Sequence, residues 1–271
     1  MKIGLFTSGY QRYPLESVFS DAKAFGYDYI ELHGARPHGY APDILSDHGL
    51  ILNSYQKKYK VPIKIYTPEH NDYPYNYMIG NEKQHADALK YLKSCMDASK
   101  VLNCEFMVIS AGHAGNFKTR RDIWDRFEKS IKNLTTYAET IQLKLVLEAL
   151  TPMESNVCTS AKDLEEILYK VPSDNLYGML DLVPPFIQNE PIENYYKLLG
   201  DKLKHLHIVD SDGVSESHIL PGDGVMPLDT FINQIKSWGY KGTATIELVS
   251  NYINEPSVYS KRAIDNIRPM I

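Results

Sequence analysis

The stretch "KLVLEAL", residues 144–150, is an aliphatic run that carries one carboxylate, Glu148. Apolar residues at consecutive positions are typical of a strand that is buried on both faces, as in a parallel sheet. A lone ionised carboxylate in such a setting costs roughly several kcal/mol unless it is paired or bound to a metal. The stretch therefore predicts a buried strand and requires a partner for Glu148.

Seven further runs resemble this one, and amphipathic stretches separate them. The predicted strands are 2–6, 27–32, 62–66, 105–110, 144–148, 176–181, 203–210 and 243–248. The predicted helices are 15–25, 42–60, 81–102, 120–140, 159–170, 191–199, 227–238 and 256–268. Eight such units predict an α/β fold, a (β/α)8 TIM barrel, with a doubly wound open sheet as the alternative. No Gly-rich dinucleotide loop follows "KIGLF", which weakens the alternative. No linker divides the chain, so residues 1–271 are predicted to form one domain.

Composition and charge exclude several classes of protein. The 271 residues carry a net charge of −5 and no basic stripe, which argues against a nucleic-acid partner. No apolar run approaches the roughly 20 residues that span a membrane, and the first residues lack the apolar core of a signal peptide. We therefore expect a cytoplasmic protein without a membrane partner. Three cysteines without CxxC spacing are expected to be reduced packing residues.

Polar side chains lie at or near the ends of the last four predicted strands. Because strand side chains alternate between faces, each of them shares a face with the residue two positions earlier. In a barrel all four would converge at the C-terminal face, where active sites form. These residues are Glu148, Asp181, His207 and Glu247, and their inward-facing predecessors are Val146, Met179, His205 and Thr245. His205 is interpreted as a deeper barrel histidine that is hydrogen-bonded in the core.

Three carboxylates and one imidazole suit a hard or borderline divalent ion. The expected cofactor is one such ion, Mn²⁺ in the first place, with Co²⁺, Fe²⁺ or Mg²⁺ as alternatives. A bound ion would acidify a proton next to a sugar carbonyl. Glu148 and Glu247 are well separated around the rim, so one could remove that proton and the other return it. Return to the opposite face is epimerisation, whereas return to the neighbouring carbon is aldose-ketose isomerisation.

Long segments of the chain, loops included, carry a family resemblance. They include "GYDYIELHGARPHGYAPD", "YTPEHNDYPYN", "VISAGHAG", "LEALTPMESNV", "HLHIVDSDG", "PGDGVMPL" and "IELVSNYINEP". The chain resembles the xylose isomerase-like barrel superfamily of sugar isomerases and epimerases over its whole length. The resemblance implies metal-dependent epimerisation at C3 of a ketose-amine, fructoselysine to psicoselysine. It also implies Glu148, Asp181, His207 and Glu247 as metal ligands, Glu148 and Glu247 as the catalytic acid and base, and, by analogy, a homo-oligomer.

The resemblance also suggests substrate-binding residues. In the related ketohexose 3-epimerases a second Glu, six residues after the metal-binding Glu, binds the substrate, and Glu154 occupies that position here. Their substrate-binding His and Arg are replaced by Pro184 and Gly213, which leaves room for a bulkier adduct than a free ketohexose. Glu69, Asp72 and Tyr75 are candidates to meet a lysine ammonium group.

Two histidines, His113 and His218, resemble ligands of further metals in a related DNA-repair endonuclease. That multinuclear site also needs a histidine where Pro184 stands, so we expect both to be pocket residues that contact the substrate. Four other functions remain open: 3-epimerisation of a free ketohexose, aldose-ketose isomerisation of another sugar, phosphodiester hydrolysis, and sugar binding without turnover. The acidic balance disfavours hydrolysis, and a binding protein has no need of both Glu148 and Glu247.

Overall fold

The computed structural model describes residues 1–72 and 74–271, and its eight strands close into a parallel barrel. The strands follow one another around the barrel in chain order, and β1 pairs with β8. They are β1 Lys2–Phe6, β2 Tyr29–Gly34, β3 Ile63–Pro68, β4 Phe106–Ser110, β5 Lys144–Glu148, β6 Leu176–Asp181, β7 Leu203–Ile208 and β8 Thr243–Ile246. The prediction of a single-domain (β/α)8 barrel is confirmed.

Helices connect the strands and surround the barrel. They are α1 Leu15–Phe25, α2 Ala41–Asp43, α3 Gly49–Tyr59, α4 Glu82–Val101, α5 Arg120–Thr140, α6 Ala161–Lys170, α7 Val183–Ile187, α8 Glu193–Leu199, α9 Leu228–Ser237 and α10 Pro256–Ile267. A π-helical turn, Ile44–His48, joins α2 to α3. Side chains cap three helices: Asn81 and Thr119 form capping boxes at α4 and α5, and Ser160 caps α6. None of the described helices is both long and apolar enough to cross a membrane.

Two apolar cores hold the barrel together. The larger core lies between the strands and the surrounding helices. The smaller core fills the barrel interior and consists of Tyr29, Ile65, Phe106, Val108, Val146 and Met179. Val146 and Met179 therefore face inward as predicted. The same register brings Asp181 next to His207, and His207 next to Thr245, at the carboxyl ends of β6, β7 and β8.

Four long connections, 69–80, 111–119, 149–158 and 210–226, follow the carboxyl ends of β3, β4, β5 and β7. They all leave the barrel at its C-terminal face, as expected for a parallel barrel. In the last of them Asp210 pairs with Ile219 through an antiparallel bridge, and its carboxylate accepts hydrogen bonds from the backbone N–H groups of Gly222 and Met226. This pairing folds the connection back over the mouth of the barrel.

Candidate active site

A cavity of about 280 Å³ opens at the carboxyl ends of the strands. Its floor includes Glu148, Asp181 and Glu247, which the sequence places on or just after three different strands. Phe6 and His33 also line the cavity. The cavity therefore lies where the sequence predicted a site, and charged groups from several strands converge on it.

The four predicted ligands come together at this floor. One ligand atom from each of Glu148, Asp181, His207 and Glu247 lies within 4.8 Å of every other. The Nδ1 atom of His207 is 2.7 Å from Glu247 Oε2, 3.2 Å from Glu148 Oε1 and 3.9 Å from Asp181 Oδ2. Asp181 is held in place because its Oδ1 accepts a hydrogen bond of 2.8 Å from the backbone N–H of Val183.

The geometry of the His207 ring fits a cation. Its Nδ1 atom is buried and makes no hydrogen bond of acceptable geometry among the described residues, although two carboxylate oxygens lie within 3.2 Å. This nitrogen and the three carboxylates therefore face a common space at the cavity floor. A hard or borderline divalent cation prefers this donor set of three carboxylates and an imidazole. The residues present fit one such ion.

The charge distribution of the cluster supports the same interpretation. Burial, together with the nearby carboxylates of Glu247 and Asp181, raises the pKa of Glu148 to about 7. Burial alone would also raise the pKa of Glu247, but the imidazoles of His207 and His218 lower it. Burial opposes a charged His207, yet Glu247 and Glu31 hold its pKa well above the usual value. Without an ion the cluster therefore takes up protons to balance its negative charge.

Because a cation that binds here must displace these protons, its affinity is expected to rise with pH. Burial raises the pKa of Glu148 to about 7, and Glu247 and Glu31 hold the pKa of His207 well above its usual value. Each proton that is released corresponds to about a tenfold gain in affinity per pH unit. Titration calorimetry with Mn²⁺ in two buffers of different ionisation enthalpy would measure the number of protons. An affinity that stays constant from pH 5.5 to 8 would contradict this expectation.

His218, from connection 210–226, reaches the same cluster. Its Nε2 atom lies 2.9 Å from Asp181 Oδ2 and 3.2 Å from Glu247 Oε2. Asp181 and Glu247 in turn hold the pKa of His218 well above its usual value, against the effect of burial. The structure thus places His218 in the cavity wall, in contact with two of the proposed ligands.

A second, larger cavity of about 790 Å³ adjoins the first and shares Glu69, Asn71 and Glu154 with it. Its lining is acidic: Glu69, Asp72, Glu154 and Glu216. The carboxylate of Glu154 accepts hydrogen bonds from the backbone N–H and the hydroxyl of Thr151, which fix its position. We call this space the acidic cavity.

The structure brings four of the other predicted substrate-binding residues to these cavities and leaves one away from them. Glu69 and Glu154 line both cavities, and Asp72 and His113 line the acidic cavity. Tyr75 is not among the described lining residues of either cavity. Its ring stacks on Tyr91 with 3.7 Å between centroids. The position of Tyr75 thus suggests a packing role.

One buried charged residue near the site, Glu31, was not predicted. It faces the barrel interior from β2, next to the inner core, and is fully buried. Its Oε1 and Oε2 lie 3.0 Å from Nε2 of His207 and Nε2 of His205, respectively. His205 is therefore a hydrogen-bonded barrel histidine, as the sequence predicted. The signal for Glu31 was a charge inside "YIEL", the same kind of anomaly that Glu148 presents.

Comparisons with known proteins agree with the fold and show the family of the chain. Residues 19–270 match the family model described as the xylose isomerase-like TIM barrel. The fructoselysine 3-epimerase of Escherichia coli O157:H7 is 45% identical over 271 residues, which are 100% of this chain and 98% of that protein. The crystal structure of 3-keto-D-glucoside 4-epimerase from E. coli superposes with a TM-score of 0.83 at 15% identity, covering 99% of both chains.

A second solved structure, of the IOLI protein with a zinc atom, superposes with a TM-score of 0.79 at 21% identity. It covers 100% of this chain and 96% of that one. At 15% and 21% identity the two solved structures support the fold alone. The family model and the 45% identical epimerase from E. coli O157:H7 show common descent. The chain therefore belongs to the xylose isomerase-like TIM barrel family.

Proposed function

We propose that the protein is a divalent-metal-dependent epimerase that inverts C3 of a ketose-amine and interconverts fructoselysine and psicoselysine. Membership of the family and the full-length relative identify the protein as an isomerase, as expected from the sequence. The observation that carries the finer proposal is the arrangement of two glutamates. Glu148 and Glu247 come from β5 and from the residue after β8, and both border the same cavity, with His207 in contact with each.

The proposed ligands of the ion are Glu148, Asp181, His207 and Glu247. When bound, a divalent ion supplies positive charge that polarises the ketone oxygen and stabilises the negative charge that develops as C3 loses its proton. Mn²⁺ is the proposed ion, with Co²⁺, Fe²⁺ and Mg²⁺ as alternatives that the same donors accept. Asp181 and His207 have no other proposed part in the reaction, and their role is to hold the ion.

Glu148 and Glu247 are the proposed acid and base. One carboxylate accepts the C3 proton, the electron pair of the C–H bond moves into the sugar as an enediolate, and the other carboxylic acid returns a proton to the opposite face of C3. After one turnover the two groups have exchanged protonation states, so a proton must pass to or from solvent before the next turnover.

The acidic cavity supports a ketose-amine rather than a free ketose as the substrate. It continues from the proposed reaction centre and carries four carboxylates. The lysyl part of fructoselysine, with two protonated amines and one carboxylate, has a net positive charge that these groups attract. Glu69, Glu154, His113 and His218 are the proposed substrate-binding residues of the two cavities.

The proposal predicts that incubation of fructoselysine with the Mn²⁺-loaded protein in D₂O removes the C3 proton signal while a second epimer appears. The carbon-bound proton passes through a carboxyl group that exchanges with solvent, so deuterium should enter at C3. Proton NMR measures both events in one sample. Exchange at C1 would instead indicate aldose-ketose isomerisation, and binding without exchange would indicate a sugar-binding barrel.

The acidic cavity makes a separate prediction about specificity. The double variant Glu69→Gln/Glu216→Gln is expected to raise KM for fructoselysine by roughly three- to tenfold, since solvent-exposed charge pairs contribute about 0 to 1 kcal/mol each. The kcat should change little, because neither residue is a proposed ligand. KM for D-psicose, which carries no amine, should stay constant. Steady-state kinetics on both sugars test this, with Glu105→Gln at the other end of the barrel as a matched control.

A further inference from the structure

The carboxylate of Glu31 accepts hydrogen bonds from three side chains inside the barrel. Thr67 Oγ1 donates to Glu31 Oε1 over 2.6 Å, and the Nε2 atoms of His207 and His205 lie 3.0 Å from Oε1 and Oε2. Glu31 and His205 are completely buried, and His207 is 1% exposed. Burying an ionised group at the centre of a barrel is costly, so an apolar residue would pack there more favourably. A role beyond packing is therefore needed to explain Glu31.

The contact with Glu31 determines which nitrogen of His207 carries the proton. An ionised carboxylate only accepts hydrogen bonds, so Nε2 of His207 must donate its N–H to Glu31. In a neutral imidazole the other nitrogen, Nδ1, then carries the lone pair. Nδ1 is the atom that faces Glu148, Asp181 and Glu247. Glu31 thus selects the one tautomer of His207 that can bind a metal at the cavity floor.

The second histidine fixes the position of Glu31. Nε2 of His205 donates its N–H to Oε2 of the Glu31 carboxylate, and Nδ1 of the same ring lies 2.9 Å from the hydroxyl and 3.2 Å from the carbonyl oxygen of Thr243. Thr67 holds the other oxygen. The carboxylate cannot rotate without breaking one of these contacts, and the ring of His207 is oriented as a result.

We propose that Glu31 is the positioning residue that holds His207 in its metal-binding tautomer and orientation, with His205 and Thr67 fixing Glu31. The inference rests on the proposed function in one respect, that the site binds a divalent cation. It does not depend on the identity of the sugar. Metal ligands of this kind commonly lose about 10- to 100-fold in affinity when the carboxylate behind the histidine is removed.

The test compares two substitutions in the full-length protein. Glu31→Leu removes every acceptor and is expected to weaken Mn²⁺ binding by about 10- to 100-fold in titration calorimetry, and to change the visible spectrum of the Co²⁺-loaded protein. Glu31→Gln keeps an amide oxygen for His207 and Thr67. The NH₂ group of the introduced glutamine can donate to Nε2 of His205. The proton of the His205 ring can then move to Nδ1, which donates to the carbonyl oxygen of Thr243, 3.2 Å away. We expect Glu31→Gln to restore most of the affinity.

Val146→Ala serves as the control, because Val146 belongs to the same inner core. It should lower the melting temperature and leave the Mn²⁺ affinity unchanged. Wild-type affinity in a folded Glu31→Leu protein would overturn the proposal. Binding of two Mn²⁺ ions to the wild-type protein and of only one to Glu31→Leu would also overturn the proposal. Glu31, His205 and His207 would then be ligands of the second ion themselves.

A measurement on the unaltered protein keeps the proposal testable if Glu31→Leu does not fold. In Zn²⁺-loaded protein with ¹⁵N-labelled histidine, we expect Nε2–H signals of His205 and His207 that exchange slowly with solvent. A proton on Nδ1 of His207 would overturn the proposal. Because these readouts involve no sugar, they separate failure of the positioning role from failure of the proposed substrate.

Discussion

Replacing either Glu148 or Glu247 by Gln is expected to abolish epimerisation, with a loss of at least about 1,000-fold in kcat at saturating Mn²⁺. A positioned acid or base contributes about 100- to 10,000-fold to proton transfer, and each of these residues is also a proposed metal ligand. Gln retains the size of the side chain and an oxygen but cannot exchange a proton. The rate of psicoselysine formation, followed by NMR or chromatography, measures the loss.

The two variants should also differ from each other. Each retains one carboxylate, so each should exchange the C3 proton of only one epimer with D₂O, and the two variants should act on opposite epimers. Glu105→Gln is the control, because Glu105 pairs with Lys64 at the amino ends of β3 and β4, away from the cavity. Rapid epimerisation by the double variant Glu148→Gln/Glu247→Gln would refute the proposed mechanism.

Removal of the metal is expected to have an effect of similar size. The carboxylates of Glu148, Asp181 and Glu247 meet at the cavity floor, and chelation would remove the proposed cation that balances their negative charge. We expect dialysis against EDTA to remove activity by at least about 1,000-fold and to lower the melting temperature. A ligand present at 100 times its Kd stabilises the native state by about 2.7 kcal/mol. Addition of Mn²⁺ or Co²⁺ should restore both properties.

The matched variant for this experiment is Asp181→Asn, which removes a proposed ligand without removing either proposed acid or base. It should need a higher Mn²⁺ concentration for half-maximal activity and should show a smaller thermal shift on metal addition. The metal content of the dialysed protein is measured by atomic emission. Full activity in protein that this measurement shows to be free of metal would contradict the proposal.

Much of the fold could be predicted because buried parallel strands have a distinctive composition. All eight strands were located, and β1, β5 and β6 have the predicted bounds. The prediction missed α7, since a five-residue helix that starts "VPP" is too short to show a helical period. The helix predicted over 42–60 is interrupted by a π-helical turn, Ile44–His48, and a single turn of five residues is too short to show a period of its own in the sequence.

The site was predictable only where it lies on strands. A residue at a strand end has a known face of the sheet and a known height along the barrel axis. Glu148, Asp181, His207 and Glu247 could therefore be placed together from their positions in the predicted strands. His218 lies in a connection without a period, and its contacts with Asp181 and Glu247 depend on how that connection folds back. Glu31 was missed because its histidine partners, His205 and His207, lie 174 and 176 residues away in the chain and meet it only across the closed barrel.

The cavities combine side chains from two kinds of element, and this has an evolutionary consequence. The proposed ligands stand on or next to barrel strands, whereas Glu69 and Asp72 stand in or next to the connection after β3, which supplies no proposed ligand. Substitutions, insertions and deletions in that connection can therefore accumulate without displacing the reacting groups. A descendant with the same strand ends and a remodelled connection would perform the same proton transfer on a sugar that carries a different appendage.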